Sequence, residues 1–393
     1  MPTPLWQPSS EEKGNTLLTH FSKKIQAQYD LPDSEYSTVH QWSIDYPELF
    51  WEEVWNDCKV LSSKSWSKVM GKDLFNVRND SERSSWFEGA RLNYAENLLL
   101  RNNDENEALS FVAENCTKQT MSYAELRAAV SQCASGMKDM GVSEMDRVAA
   151  VIPNCPEAVI GLLAASSIGA IWSSCSPDFG IKGINDRLGQ ISPKILITVN
   201  AYHYNGKEHD CLTKIREVTK LIPSIEAVYV VPFTETEIEF QGNEKPWTEL
   251  LDYSANTTIF AQLPFDHPLY ILYSSGTTGL PKSIVHGAGG CLLKHLTEHR
   301  YHSDINPGDR VFYFTTCGWM MWNWLVSSLA SGATIILYDG APTFPDAGRM
   351  WKLIDEQQIT HFGTSPKFLG AVNKAGYSPR KNNQLNSLKA ILS

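Results

Sequence analysis

Two hydrophobic periods alternate along this chain from Ser122 onward. Ser122 and Glu125 make the Ser-x-x-Glu pattern of a capped helix start. Leu126, Val130, Cys133, Met137 and Met140 then recur at helical spacing, and Gly141 falls where such a helix ends. Asp146 and Arg147 lead into an apolar run over 148–152, too short for a buried helix and read as a strand. The alternation continues with a helix over 156–168 and an extended Ala170-Ile171-Trp172. A helix over 181–191, a strand over 194–199, a helix over 210–221 and a strand over 227–231 follow. Strands alternating with helices predict an α/β fold, with mainly parallel sheets covered by helices. Residues 233–252 carry neither period and read as the internal seam. Past them, 269–273 reads as a buried strand, 283–286 as another strand and 289–302 as a helix.

Between Arg310 and Asp339 there is no charged residue, a stretch long enough to cross a bilayer. Its period changes twice, however, and it contains Gly318, Asn323, Ser327, Ser328, Ser331 and Gly332. The pattern predicts a strand over 311–315, a buried helix over 320–330 and a second strand over 333–338. A fully buried βαβ unit has this composition without any membrane span. Residues 1–95 form an extension punctuated by Trp42, Trp51, Trp55, Trp66 and Trp86, with a helix over 46–58. It is read as a cap on a large domain of residues 96–393.

Composition narrows the picture. With 393 residues, 42% of them apolar and 20% charged, the chain can bury one large core or two smaller ones. A net charge of −10 excludes the broad basic footprint that nucleic acid requires. It leaves room for a local anion pocket. The eight cysteines form no Cys-x-x-Cys pair and several lie in apolar runs, as free thiols of a reducing compartment do. The first residues have neither a basic nor an apolar leader segment, so the expected location is the cytosol.

The main candidate for chemistry is Ser274-Ser275-Gly276-Thr277-Thr278-Gly279-Leu280-Pro281-Lys282. Two glycines leave backbone N–H groups free to turn towards an anion, four hydroxyls add donors, and Lys282 supplies a full charge. Such a loop suits polyphosphate. It is no Walker A, because Pro281 separates the second glycine from the lysine and a strand rather than a helix follows. The competing reading is a polar hairpin tip.

This loop resembles the phosphate-binding signature of the adenylate-forming superfamily, which comprises acyl-CoA synthetases, peptide-synthetase adenylation domains and luciferases. Two further strings sharpen the likeness: Trp86-Phe87 with 89–99, and Ile171-Trp172-Ser173-Ser174-Cys175-Ser176-Pro177-Asp178-Phe179-Gly180. With 318–324 they are similar to the acetoacetyl-CoA synthetase branch. The resemblance implies ATP, Mg²⁺ and coenzyme A as reactants with acetoacetate, and an acyl-adenylate intermediate. Ser274, Ser275, Gly276, Thr277, Thr278, Gly279 and Lys282 would hold the phosphates, with Lys282 and Thr277 as the catalytic pair. Trp319, Met320, Met321 and Trp322 would line the acyl pocket, for which core packing is the alternative. Lys207, in Tyr204-Asn205-Gly206-Lys207, would touch coenzyme A, unless this is an ordinary turn. No metal-ligand set is assigned. The alternative functions are a non-catalytic truncated relative that binds a ligand or partner without turnover, and another short-chain acyl-CoA synthetase.

His295-Leu296-Thr297-Glu298-His299 matches an inverted zinc-peptidase pattern, but Lys294 and Arg300 flank it, and a solvated helix face is the expectation. Residues 387–393 read as a strand that stops without turn or cap. In the resembling family this strand leads into an adenine loop, an acidic Mg²⁺ residue, a ribose-binding aspartate, a hinge and a small C-terminal domain with a catalytic lysine. The chain is therefore expected to be an incomplete, C-terminally truncated form, with little turnover of its own.

Overall fold

The apolar runs between the helices pair side by side into two sheets. The computed structural model describes residues 7–71, 86–274 and 279–393. One sheet has seven strands in the order Glu244–Pro246, Ala227–Val231, Ile195–Val199, Arg147–Val151, Ile171–Cys175, Pro268–Ser274 and Lys282–Gly287. All neighbours run parallel except the last pair, an antiparallel hairpin. The other has six strands in the order Ala390–Leu392, His361–Gly363, Arg310–Tyr313, Thr334–Asp339, Glu107–Ala113 and Lys118–Ser122, again with only the last pair antiparallel.

The core explains the arrangement. Val148 and Ala150 of the first sheet share one apolar cluster with Leu109, Ile335 and Leu337 of the second. The helix Pro156–Ser167 belongs to that cluster and buries every residue but Glu157. Its sequence is apolar all round, as a helix enclosed on all sides requires. Ile184, Leu188, Ile215 and Val218, from helices Ile181–Leu188 and Leu212–Leu221, cover the outer face of the seven-stranded sheet. Helices Arg349–Gln357 and Pro366–Lys374 cover the outer face of the other. The mainly parallel, helix-covered architecture is thus the predicted one. The uncharged segment folds as a strand, the helix Met320–Ser327 with a short 3-10 turn, and a strand. Among the described residues no helix is long and apolar enough to cross a membrane.

One part of the pattern folds otherwise than expected, and another was left unread. Residues 201–210, between the expected strand and helix, form a hairpin, Ala201–Tyr204 against Lys207–Asp210, and the expected helix follows as Leu212–Leu221. The seam over 233–252 is not a boundary. Its Glu244–Pro246 extends the seven-stranded sheet, and Trp247 and Leu250 are buried. Backbone pairing and the Arg216 guanidinium, whose nitrogens donate to Glu244 at 2.7 and 2.9 Å, hold this polar strand in place. Leu250 also comes so close to the helix Tyr123–Asp139 that a Cβ on Gly136 would lie 1.7 Å from its carbonyl oxygen.

The His-x-x-Glu-His face is not solvated. The helix Ala288–Thr297 runs into a π-turn, Glu298–His302, against the N-terminal helices, where Phe21 stacks on Tyr301 at 4.5 Å. His295 and His299 are buried, and their ring centroids lie 6.2 Å apart. His295 Nδ1 is 2.7 Å from Ser327 Oγ, His299 packs edge-on to Trp324, and Glu298 pairs with Lys294 while accepting the Trp324 indole N–H. Each candidate zinc ligand is therefore engaged in packing. The lysine and arginine on either side misled the reading: Lys294 is exposed, but Arg300 is itself largely buried beside Asp57.

Burial pushes His295 down to about 4, from an ordinary 6.5, and His299 well below that value. A histidine whose folded value is depressed costs nothing while both states are neutral. Below pH 6.5 the unfolded chain takes the proton first, so stability falls as pH drops towards 4. His295 alone accounts for up to roughly 3 kcal/mol of that loss. His295→Asn is expected to be the less stable protein at pH 7.5, with the gap to wild type narrowing by pH 5. Urea unfolding at both pH values checks this; a constant gap would contradict it.

Candidate active site

One strand sits between the two pieces of chemistry that the sequence singles out. Ile171–Cys175 is buried throughout, and consecutive serines on it point to opposite faces. Ser173 Oγ donates to Ile271 O at 2.9 Å, in the strand that leads into the phosphate loop. Ser174 Oγ donates to Cys317 O at 2.6 Å, just before Gly318-Trp319. Gly318 lies so close to this strand that its Cβ would be 3.4 Å from Ser176 N.

The phosphate loop is the connection of the edge hairpin. Ser274 ends one strand and pairs with Lys282, the first residue of the return strand. Ser275, Gly276, Thr277 and Thr278 lie outside the described residues. Gly279 has φ +131°, a backbone shape that side chains rarely adopt. Gln190 holds the loop's far flank, donating to Pro281 O at 2.9 Å and accepting from Ser283 Oγ at 3.2 Å. Lys282 is exposed, and the helix begins only at Ala288, so the loop differs from a Walker A as expected.

The four apolar candidates divide. Trp319 is 59% and Met320 46% exposed, and Met321 is half-buried. Trp322 is fully buried, and its indole N–H donates to Asn154 Oδ1 at 2.9 Å. The helix starts at Met320, and its turn carries Trp322 into the core while Trp319 stays at the rim. Lys207 is exposed at the foot of the hairpin, whose turn residues Asn205 and Gly206 have φ of 54° and 74°.

A cavity of about 270 Å³ opens elsewhere, and none of Ser274, Gly279, Lys282, Trp319, Met320, Met321, Trp322 and Lys207 lines it. Four strand ends and the hairpin supply its wall: Pro153 and Asn154 and Ser176 to Asp178 from the seven-stranded sheet, 314–316 and 338–340 from the six-stranded one, and the hairpin's Tyr202, Tyr204 and His209. The carboxyl ends of parallel strands are where α/β folds bind ligands. The hairpin is fastened across the gap by Glu114, whose carboxylate accepts the N–H groups of Asn205, Gly206 and Ala341 at 2.9, 2.7 and 2.7 Å. Asp339 lines the cavity with its Oδ2 sealed from solvent and unpartnered. Burial first, and then the charge of Glu114, push its carboxyl up to about 8. Sequence reasoning missed Asp339, Glu114 and Asn154. Asp339 had left a signal, as the first charge after the long uncharged segment and at a strand's carboxyl end.

A profile of the family described as "AMP-binding enzyme" matches residues 100–393, and one described as "Acetyl-coenzyme A synthetase N-terminus" matches 36–98. The chain belongs to the AMP-binding enzyme family. Among its relatives are the acetoacetyl-coenzyme A synthetase of Rhizobium meliloti (strain 1021), 42% identical over 99% of this chain, and the acetoacetyl-CoA synthetase of Danio rerio, 41% identical over the same share. A malonamoyl-CoA synthetase of Penicillium aethiopicum is 39% identical. The solved acetoacetyl-CoA synthetase from Streptomyces lividans superposes with a TM-score of 0.93 at 38% identity over 99% of the chain. The chain spans 59% of the Rhizobium relative, 58% of the Danio one, 57% of the Penicillium one and 59% of the Streptomyces structure.

The serine pair gives a direct test of how the site is held. Ser174 is buried and also accepts the Trp172 indole N–H at 3.1 Å. Ser174→Ala leaves that donor and the Cys317 carbonyl without a partner, at a cost of about 1–3 kcal/mol. Chemical denaturation should show the loss; an unchanged midpoint would mean the contact contributes nothing.

Proposed function

We propose that this chain provides the phosphate loop and acyl pocket of an AMP-forming acid–thiol ligase that joins acetoacetate to coenzyme A. Hydroxide leaves a carboxylic acid poorly, whereas AMP leaves well. In this reading the acid's carboxylate attacks the α-phosphate of ATP to give acyl-adenylate and pyrophosphate, and the thiol then displaces AMP. The observation that carries the proposal is the shared strand. Ile171–Cys175 holds the phosphate hairpin through Ser173 and the Gly318-Trp319 turn through Ser174, so a triphosphate on one side can meet an acid on the other. Positioning and charge stabilisation supply most of the catalysis of such reactions.

In this proposal Ser274 to Lys282 hold the β- and γ-phosphates, with Thr277 and Lys282 nearest the transferred charge. Trp319, Met320 and Met321 bound the acyl chain at the rim, while Trp322 acts indirectly by orienting Asn154. Coenzyme A approaches from the hairpin, Lys207 meeting its phosphates and the cavity taking its thiol arm. Acetoacetate as the acid is supported by the names of three relatives, and a short, polar-tipped acid is also what the malonamoyl-CoA relative's name describes. Mg²⁺ would enter with the triphosphate. Among the described residues no cluster of His, Cys, Asp or Glu suits a metal, so no role is derived for it. All eight cysteines are free thiols, seven of them buried, which favours a cytosolic location.

Lys282→Ala should weaken ATP binding by about 1.5–3 kcal/mol, the worth of a hydrogen bond to a charged group. Titration calorimetry with ATP measures it, and wild-type affinity in the variant would remove the loop from the site. Met320→Ala should deepen the acyl pocket. Alkyl esters of AMP are suitable probes: a hexyl ester should gain on a propyl ester in the variant, by about 1–3 kcal/mol for each methylene accommodated. An unchanged preference would assign Met320 to the surface alone.

A further inference from the structure

We infer that the 270 Å³ cavity is a binding site for a small methylated ammonium ion, held against tyrosine ring faces beside the Asp178 carboxylate. The inference stands on the cavity's own walls. The reading of the cavity as the thiol arm's path adds one consequence, that the two ligands exclude each other.

Two parts of the fold supply the rings. Tyr202 and Tyr204 are two residues apart on the hairpin strand Ala201–Tyr204, so they share one of its faces, and both line the cavity. His209 pairs with Tyr202 across the hairpin and stacks on it with centroids 5.2 Å apart, which steadies that ring. Phe314 and Tyr338 line the cavity from the six-stranded side, their rings 6.5 Å apart and inclined at 47°. The Tyr338 hydroxyl donates to Ala341 O at 3.3 Å, so the ring is what it offers a ligand. Tyr202 and Tyr338 are buried while Tyr204 is 46% exposed, which gives the cavity an open mouth and a covered inner wall.

Charge decides what such a space takes. No lysine or arginine lines it. Lys214 and Arg349 touch the wall from outside, and each is already engaged. Lys214 donates to the Pro177 carbonyl, and Arg349 lies over the Tyr338 ring and pairs with Glu356. Asp178 lines the mouth and is exposed. Burial first, and then the charge of Asp178, push Tyr202 up to about 12 and raise Tyr204, so this carboxylate stands near both rings. Glu114, bound to the N–H groups of the hairpin turn, adds negative charge on the Tyr204 side. Asp339, pushed up to about 8, is largely neutral at pH 7 and is left out of the balance.

An anion entering this cavity meets carboxylates and no cation to balance it. A cation meets the negative faces of the rings and the carboxylates together. Methyl groups on the nitrogen suit it further. Ring faces are poor hydrogen-bond acceptors, and an ion without N–H groups leaves no donor unpaired against them.

The probes are choline and the uncharged alcohol in which a tert-butyl group replaces its trimethylammonium. Both are titrated into the 393-residue chain at pH 7 and constant ionic strength, with binding followed by ligand-observed NMR. Choline should bind about tenfold more tightly than the alcohol. Tyr204→Leu keeps apolar surface but removes a ring face, and should bring the two probes within about threefold of each other. Asp178→Asn should weaken choline about fivefold and leave the alcohol unchanged. Both side chains are exposed at the mouth, so neither change asks the core to repack. Equal affinity of the two probes for wild type, or a preference for choline that survives both substitutions, overturns the inference. Coenzyme A titrated in the presence of choline then tests the shared path. A weakened apparent affinity supports it. An unchanged affinity, or no binding of coenzyme A at all, keeps the ammonium site and removes the thiol arm from the cavity.

Discussion

The candidate site depends on the pleat of one strand. Because successive side chains of Ile171–Cys175 face opposite ways, Ser173 and Ser174 can each hold a different neighbour. One bonds the strand leading to the phosphate hairpin, the other the turn before the apolar cluster. Neither contact is strong in itself. Their value lies in being buried and short, so that the two segments are referred to a single rigid element rather than to two separate loops. Helix Pro156–Ser167 reinforces this from behind, where Gly161 lets the Trp172 ring come within 2.8 Å of where a Cβ would stand.

The site divides its electrostatic work between two places. The hairpin Pro268–Gly287 is at a sheet edge, and Lys282, at the start of its return strand, is exposed. The cavity is lined by aromatic rings and carboxyls and has no lysine or arginine in its walls. The cavity uses carboxyl groups in a low-dielectric setting, where their ionisation becomes sensitive to neighbours.

Much of this was legible in the sequence where side chains decide the structure. The apolar strands, the capped helix Tyr123–Asp139 and the buried βαβ unit all follow from hydrophobic period. The polar strand Glu244–Pro246 and the hairpin over 201–210 were not legible, because backbone hydrogen bonds make them and their side chains carry no period. The loop from Ser274 to Lys282 stood out because its composition is unusual, and the structure shows it as the connection of an edge hairpin. The cavity could not be read, because its wall is assembled from strand ends far apart in sequence. Trp319 and Trp322 look alike in sequence, and only the start of a helix between them sends one to the rim and the other inward. The buried histidines misled because a flanking charge need not be exposed, as the largely buried Arg300 shows.

Glu114 has a consequence for how the molecule assembles. Its carboxylate joins residues 91 and 227 positions away, which belong to different sheets. Loops of that length close slowly, since the entropy of closure must be met before any contact rewards it. The hairpin over 201–210 can pair with itself early and is anchored at its base by Tyr202 in the core, but its turn is held only once Glu114 of the other half reaches it. The mouth of the cavity is therefore a late product of folding, acquiring its shape only after the two halves of the chain have found each other.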